Sequence, residues 1–431
     1  MTTTINNEHK KLNFSSEREQ SQACLNAAEH EKNQGRKVLN VPNLRFKEFE
    51  GEWKEERLAD IADLYKGTGI SKDQLSDDGE PCILYGELYT KYKSETIREA
   101  ISKTNIDNTK LVRSKANDVI IPCSGETAED IATARCVLNG NILLGGDLNI
   151  IRLHGYDGTF MSYQLNGKRK YDIAKVAQGV SVVHLYGEHL KGVKTINPCL
   201  EEQKKIATLL RLIDERIATQ NKIIDKLQSL IKGINQYVFT NNGVNYKLGT
   251  LCEIRSGYSG NQLSSKKGLK VSRIETISGH KVNMERIGYV DPFDSSENFR
   301  LRIGDILFSN INSVEYIGNT AFIDKDYDLY HGMNLLRLTP NDKVVVPFYL
   351  YLLLNTNRML NCFKTICNKA VSQASINQTE LGKVVIQLPN INAQKQICEL
   401  YQLLYAKLDS ATCTNALFQK QKQYLLRQMF I

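Results

Sequence analysis

Residues 198–206 read Pro198-Cys199-Leu200-Glu201-Glu202-Gln203-Lys204-Lys205-Ile206, and residues 389–397 return the same frame with Pro389, Gln394-Lys395 and Ile397. The match extends without a gap from Ala177–Phe239 onto Asn368–Phe430 at a single offset of 191 residues. Val180-Ser181 falls on Val371-Ser372, Leu190 on Leu381, Leu209 and Leu212 on Leu400 and Leu403, and Phe239 on Phe430. Upstream the echo is looser. Arg57-Leu58…Gly67 matches Lys247-Leu248…Gly257 at offset 190, Lys115–Ile120 matches Arg302–Leu307 at 187, and Asn149–Leu153 matches Asn334–Leu338 at 185. A drifting offset means insertions and deletions between two related globular modules, not a short solenoid period. The chain is therefore two copies of a unit in which a globular module precedes a long helix.

The helices follow from periodicity. Positions 206, 210, 213, 217, 220, 224, 227, 231, 234 and 238 read Ile, Leu, Ile, Ile, Gln, Ile, Leu, Ile, Ile, Val, an a/d seam with only Gln220 polar. The same register in the second copy reads Ile397, Tyr401, Leu404, Leu408, Ala411, Asn415, Phe418, Lys422, Leu425, Met429, with Asn415 and Lys422 as interruptions. Pro198 and Pro389 sit where a missing N–H costs nothing, and Glu201-Glu202 complements the first helix's dipole. Asn241-Asn242-Gly243 supplies a stop. Each helix, Gln203–Phe239 and Gln394–Phe430, would be roughly 50 Å long. The two are expected to pack antiparallel with Ile213, Ile217, Ile224 and Leu227 buried.

Length and composition allow two or three domains; the apolar content of 41% is that of an ordinary globular protein. No apolar run reaches the ~18 residues of a spanning helix, and polar residues 1–35 lack a signal-peptide core. Ten scattered cysteines without metal-ligand spacing point to reduced thiols, no metal and a cytoplasmic location. The net charge of +8 is compatible with nucleic acid without establishing it.

Catalytic motifs are present only in outline. Asp63-Leu64-Tyr65-Lys66-Gly67-Thr68-Gly69 has the shape of a loop that holds S-adenosylmethionine, but its repeat, Glu253-Ile254-Arg255-Ser256-Gly257-Tyr258-Ser259, keeps one glycine alone. A tight turn leaving a strand accounts for what both copies share. Asn197-Pro198-Cys199-Leu200 lacks the second proline and the aromatic of a base-flipping methyltransferase. No GxxxxGK[ST] loop, HExxH or nuclease carboxylate cluster occurs. His184 and His189 face Ser375 and Glu380 in the repeat, so neither is shared. A chain built twice without a catalytic constellation reads as a binding scaffold.

At this point a family is legible. Val41-Pro42-Asn43-Leu44-Arg45-Phe46-x-x-Phe49-Glu50-Gly51-x-Trp53 resembles the entry to the first target recognition domain of the specificity (S) subunits of type I restriction–modification enzymes. Gly179–Tyr186…Leu190 with Pro198…Glu202-Gln203-x-x-Ile206 resembles the junction between that domain and a conserved helix. Val371–Asn377…Leu381 with Leu388-Pro389…Gln394-x-x-Ile397 repeats it, so the resemblance covers about residues 42–431.

The resemblance implies an α/β (α+β) fold of two target recognition domains separated by two long antiparallel coiled-coil helices, with a pseudo-two-fold repeat. The expected boundaries are an N-terminal extension over 1–41, recognition domain 1 over 42–197, spacer helix 1 over 198–243, recognition domain 2 over 244–388 and spacer helix 2 over 389–431. It implies a non-catalytic subunit without cofactor that reads double-stranded DNA as two half-sites roughly 34 Å apart. Two methyltransferase subunits would dock on the helices and restriction subunits would complete the complex. S-adenosylmethionine, ATP and Mg would belong to those partners. Candidate DNA contacts, chosen by side-chain chemistry, are Lys168, Arg169, Lys170, Tyr171, Gln178 and Ser181 in the first module, and Lys266, Lys267, Lys369, Ser372, Gln373 and Ser375 in the second. The alternatives are a catalytic methyltransferase or nuclease fusion, and a scaffold that recruits proteins without DNA.

Overall fold

The computed structural model describes residues 39–107, 109–179, 182–239, 243–369 and 373–431. The chain divides into two compact units, Met1–Thr219 with Asn415–Ile431, and Gln220–Thr414.

In the first unit a five-stranded sheet runs in the order Ala62–Lys66, Leu148–Leu153, Asp118–Pro122, Arg135–Val137, Thr96–Ile97. Its central strands are apolar without alternation, because both faces are covered. Val119, Ile121 and Ile151 enter one core with Leu58, Met161 and Leu165. Ile120 and Ile150 enter the opposite core with Ile83, Leu88 and Ile97. Side chains that alternate sides along a strand require this division. A separate ribbon pairs Lys54–Arg57 antiparallel with Lys194–Asn197, immediately before the first long helix.

The second unit repeats the plan. Val244–Lys247 pairs with Val385–Leu388, and the sheet runs Cys252–Ser256, Leu336–Pro340, Ile306–Phe308, Thr320–Phe322. Ile306 and Phe308 face one core and Leu307 the other. The register corrects one alignment. Ile151 pairs with Leu64 and Val119, whereas Leu338 pairs with Ile254 and Ile306, so Leu338 is the counterpart of Ile151 at offset 187. The sequence match alone sets it opposite Leu153, at offset 185. Side-chain chemistry agrees with the register. Asp118 accepts from the Lys115 N–H and ion-pairs with Arg152 at 2.7 Å, while Asp305 accepts from the Arg302 N–H and from Thr339 Oγ1. A two-residue slip leaves every side chain on its own face, which is why the apolar pattern could not detect it. Left-handed backbone repeats at the same offset: Asn117 (φ 78°) with Gly304 (φ 97°), and Asp147 (φ 57°) with Asn334 (φ 63°).

The long helices span Leu200–Val238 and Ile391–Gln428. In the first unit Ile206, Leu210 and Ile213 pack with Leu425, Met429 and Phe430 around Trp53, Phe160 and Tyr163. In the second, Ile231 and Phe239 share a core with Cys398 and Tyr401. The start of one helix thus meets the end of the other in each unit, and the pair is antiparallel. The seam is less buried than expected: Ile213 is buried, but Ile217, Ile224 and Leu227 are only half-buried. A helix flanked by another helix covers such positions on one side only, and full burial needs a module as well. The stop at Asn241-Asn242 lies outside the described residues. Gly243 immediately precedes the next strand, and a Cβ there would overlap the Leu388 carbonyl oxygen.

Candidate nucleic-acid interface

The same glutamine ties each module to its helix. Gln203 Nε2 donates to the Pro198 carbonyl (2.8 Å), and its Oε1 accepts from the Asp157 N–H (3.0 Å). Gln394 Nε2 donates to the Pro389 carbonyl (2.9 Å), and its Oε1 accepts from the Val346 N–H (2.9 Å). Asp157 and Val346 are the N-caps of equivalent module helices, Gly158–Asn166 and Pro347–Leu354. Both glutamines are 1% exposed. A buried amide with both ends bonded to backbone fixes the angle between module and helix, since releasing it strands two polar groups.

The first unit adds an ionic joint at an interruption of the second seam. There Lys422 reaches Glu95 of the module at 2.5 Å and Asp214 of the first helix at 2.7 Å. Tyr163 donates to the other Asp214 oxygen at 2.6 Å. Burial works against the Lys422 ammonium, and the two carboxylates overcome that and hold its pKa above the usual lysine value. Burial pushes the Glu95 carboxyl up; Lys422 pulls it back and Asp214 adds to the rise. The counterpart of Lys422 in the first helix is Ile231, so this joint belongs to one unit. The strap Leu39–Trp53 is held in the same unit. Arg45 makes a bidentate pair with buried Glu202, and Trp53 packs edge-on to Phe160 and Phe430.

The loop with the outline of a cofactor site is occupied by its own neighbours. A Cβ on Gly67 would overlap the Gly145 carbonyl oxygen, and one on Gly257 would overlap that of Gly332. Asp63 bonds to His154 at 3.0 Å, and Tyr65 lies under the Arg152 guanidinium. The shared glycine therefore serves a close backbone approach. Among the described residues no group of three or more His, Cys, Asp or Glu is placed to hold a metal ion.

The junction motifs form small sheets at equivalent places. In the first unit Val183–His184 pairs with Ser124–Gly125, and Ser124 Oγ lies 3.2 Å from His184 Nδ1. In the second, Ala374–Ser375 lies between Ile311–Asn312 and Asn368–Lys369. Lys369 and Gln373 are exposed there and Ser375 is half-buried; Gln178 is exposed and bridges by backbone to His184. Ser181 and Ser372 lie outside the described residues. The basic run lies in another part of the first module, at the end of helix Gly158–Asn166 and the start of Lys170–Val176. Lys168 is exposed, Lys170 half-buried, and Tyr171 is 68% exposed beneath Lys175. Arg169 is turned inward to Asp172 and the Ile431 carbonyl. Lys266 and Lys267 are exposed on the loop before Leu269–Val271. Each module thus offers a cationic loop and a polar junction sheet; the sheet recurs at the same place in the repeat, whereas the cationic loops do not match.

A family model for the type I restriction modification DNA specificity domain matches residues 50–229 and again 242–415. The chain belongs to this family. As a specificity subunit of a type I restriction–modification system it recognises the DNA target and is not the catalytic component; cofactors belong to the methyltransferase and restriction subunits. It is 25% identical over 388 residues to the MjaVIII specificity subunit of Methanocaldococcus jannaschii, covering 82% of this chain and 87% of that one. It is 39% identical over 180 residues to a protein of the same organism described as the MjaX specificity subunit, covering 41% of this chain and 42% of that one. That second match spans under half of the relative's length. Among solved structures, the type I S subunit from M. genitalium superposes with a TM-score of 0.61 at 16% identity, covering 91% of this chain and 99% of that one. A chain from a structure of type I complex assembly and conformational transition gives 0.52 at 18%, covering 88% and 97%. These likenesses support the fold of two β-rich modules on paired long helices. No helix among the described residues is long and apolar enough to cross a membrane.

Proposed function

We propose that the chain reads a bipartite DNA target, one half-site per module, and carries two methyltransferase subunits on its paired helices, with restriction subunits completing a cytoplasmic complex. The observation that carries this reading is the contrast between the joints and the surfaces. Gln203 and Gln394 each make the same two bonds, whereas the exposed cations of the two modules stand at positions that do not match in the repeat. A fixed frame with divergent surfaces is what two independent half-sites require. The modules are taken as 42–197 and 244–388 and the spacers as 198–243 and 389–431.

The DNA contacts proposed are Lys168, Lys170, Tyr171, Gln178 and Ser181 with Lys266, Lys267, Lys369, Ser372, Gln373 and Ser375. Arg169 would act by anchoring the loop that presents its neighbours. Two partner copies on the helices are supported by Leu212 and Leu403, equivalent in the repeat and 48% and 70% exposed. Exposed leucines at matching positions suit a second apolar surface presented twice. The test is genomic methylation in cells that express the cognate methyltransferase with and without this chain. A bipartite methylated motif should appear only when both are present. Methylation of the same motif by the methyltransferase alone would remove the reading.

A further inference from the structure

The strand Leu336–Pro340 carries an arginine where the first unit has a core isoleucine: the register sets Arg337 opposite Ile150 of the repeat. Arg337 is 8% exposed. Of its five N–H donors, Nη1 bonds to the Arg300 carbonyl at 3.1 Å, and Nε is buried without a partner. Among the described residues no carboxylate forms an ion pair with it. Asp305, the nearby acid, is already engaged by the Arg302 N–H and the Thr339 hydroxyl. Buried guanidinium groups are rare without an anion, because their desolvation is not repaid.

Arg337 lines a cavity of about 270 Å³ together with Arg255, Ser256, Asn298, His331 and Gln378. No carboxylate is among the lining residues. Arg255, half-exposed, is braced by Glu253 at 2.6 Å. Burial pulls the Arg337 pKa down; Asp305 and Glu253 oppose the fall, Arg255 and Arg302 add to it, and a bound anion would oppose it further. Two guanidinium groups with hydroxyl and amide donors, in a lining that contains no acid, match the oxygens of a phosphate.

We propose that this cavity in the second unit is a phosphate site, taking one phosphate group either from the DNA backbone beside the half-site or from a free nucleotide. The backbone source rests on the DNA-reading function proposed above; the free source does not. The first module, with Ile150 and Tyr65 at the corresponding positions, lacks the site.

The experiment uses the full chain with Arg255→Met, a change at a half-exposed position, and Arg337→Gln as a second variant. One arm measures the melting temperature in inorganic phosphate against chloride at equal ionic strength. The other measures affinity for target duplex across a salt series. For a backbone phosphate, each variant should flatten the slope of log K against log[salt] by about 0.9 while half-site preference stays the same. For a free phosphate group, the wild type should melt several degrees higher in phosphate, both variants should lose that rise, and the salt slopes should be unchanged. No phosphate-specific rise in the wild type together with unchanged slopes in Arg255→Met overturns the site. If the wild type fails to bind duplex DNA at all, the function above fails, and the phosphate arm alone decides this proposal. Should Arg337→Gln fail to fold, Arg255→Met carries both arms.

Discussion

Replacing Lys422 with Met should unfasten the first unit. Lys422 joins Glu95 of the module to Asp214 of the first helix, with side-chain exposures of 15%, 12% and 8% respectively. Removing the cation leaves two carboxylates facing each other in a site that water barely reaches, and Tyr163 still holds one of them in place. Breaking a buried pair from one side costs about 3–5 kcal/mol. With a urea m-value near 3 kcal/mol/M, the midpoint should fall by about 1–1.7 M. The assay is built in: the single tryptophan, Trp53, lies in this unit's core against Phe160 and Phe430, so its fluorescence reports the joint. The companion variant Glu95→Gln/Asp214→Asn/Lys422→Met removes all three charges and should recover most of the loss. A loss under ~1 kcal/mol for Lys422→Met, or a triple variant no better than the single one, would refute the argument that the network locks module to helix.

Three further outcomes follow from other joints. Gln394→Leu should strand the Val346 N–H and the Pro389 carbonyl, costing about 1–3 kcal/mol for each group, as read by chemical denaturation; near-wild-type stability would show that the amide is not a fastener. Gly67→Ala should cost about 1–3 kcal/mol by forcing the strand away from Gly145, lowering the Trp53-detected midpoint; a neutral effect would mean that the close approach is slack. His331, buried and bonded to the Leu335 carbonyl, has its pKa lowered by burial to about 4 from 6.5. Between these values the unfolded chain binds the extra proton, so stability falls as pH drops from about 6.5 to 4, by about 2 kcal/mol between pH 7 and 5. Circular-dichroism denaturation at both pH values should show this component disappear in His331→Gln.

The duplication, the two helices and the proline-led junctions were legible because they rest on period and spacing. A gapless offset of 191 residues carries the helices and the Gln203/Gln394 pair together. The strands of the modules were harder to read. Many are two to five residues long, and a strand covered on both faces, such as Asp118–Pro122, shows no alternation to count. Lys422 looked like a defect because its partners lie 208 and 327 residues away in sequence, where no helical pattern reaches. Arg337 was invisible for the same reason: its environment is made by Arg255, Asn298 and Gln378, brought together only by the fold. Arg169 shows what a basic run does not reveal, a guanidinium that bonds to Asp172 and to the Ile431 carbonyl.

The central claim is that each module reads its own half-site, and exchanging residues 248–387 for the matching region of a relative tests it most directly. Long-read methylation mapping of cells carrying the exchanged chain and its methyltransferase should show one half of the motif replaced. The other half and the distance between halves should be retained, because the spacer sets geometry and the modules set base contacts. A motif altered in both halves, or a preserved motif, would contradict the account.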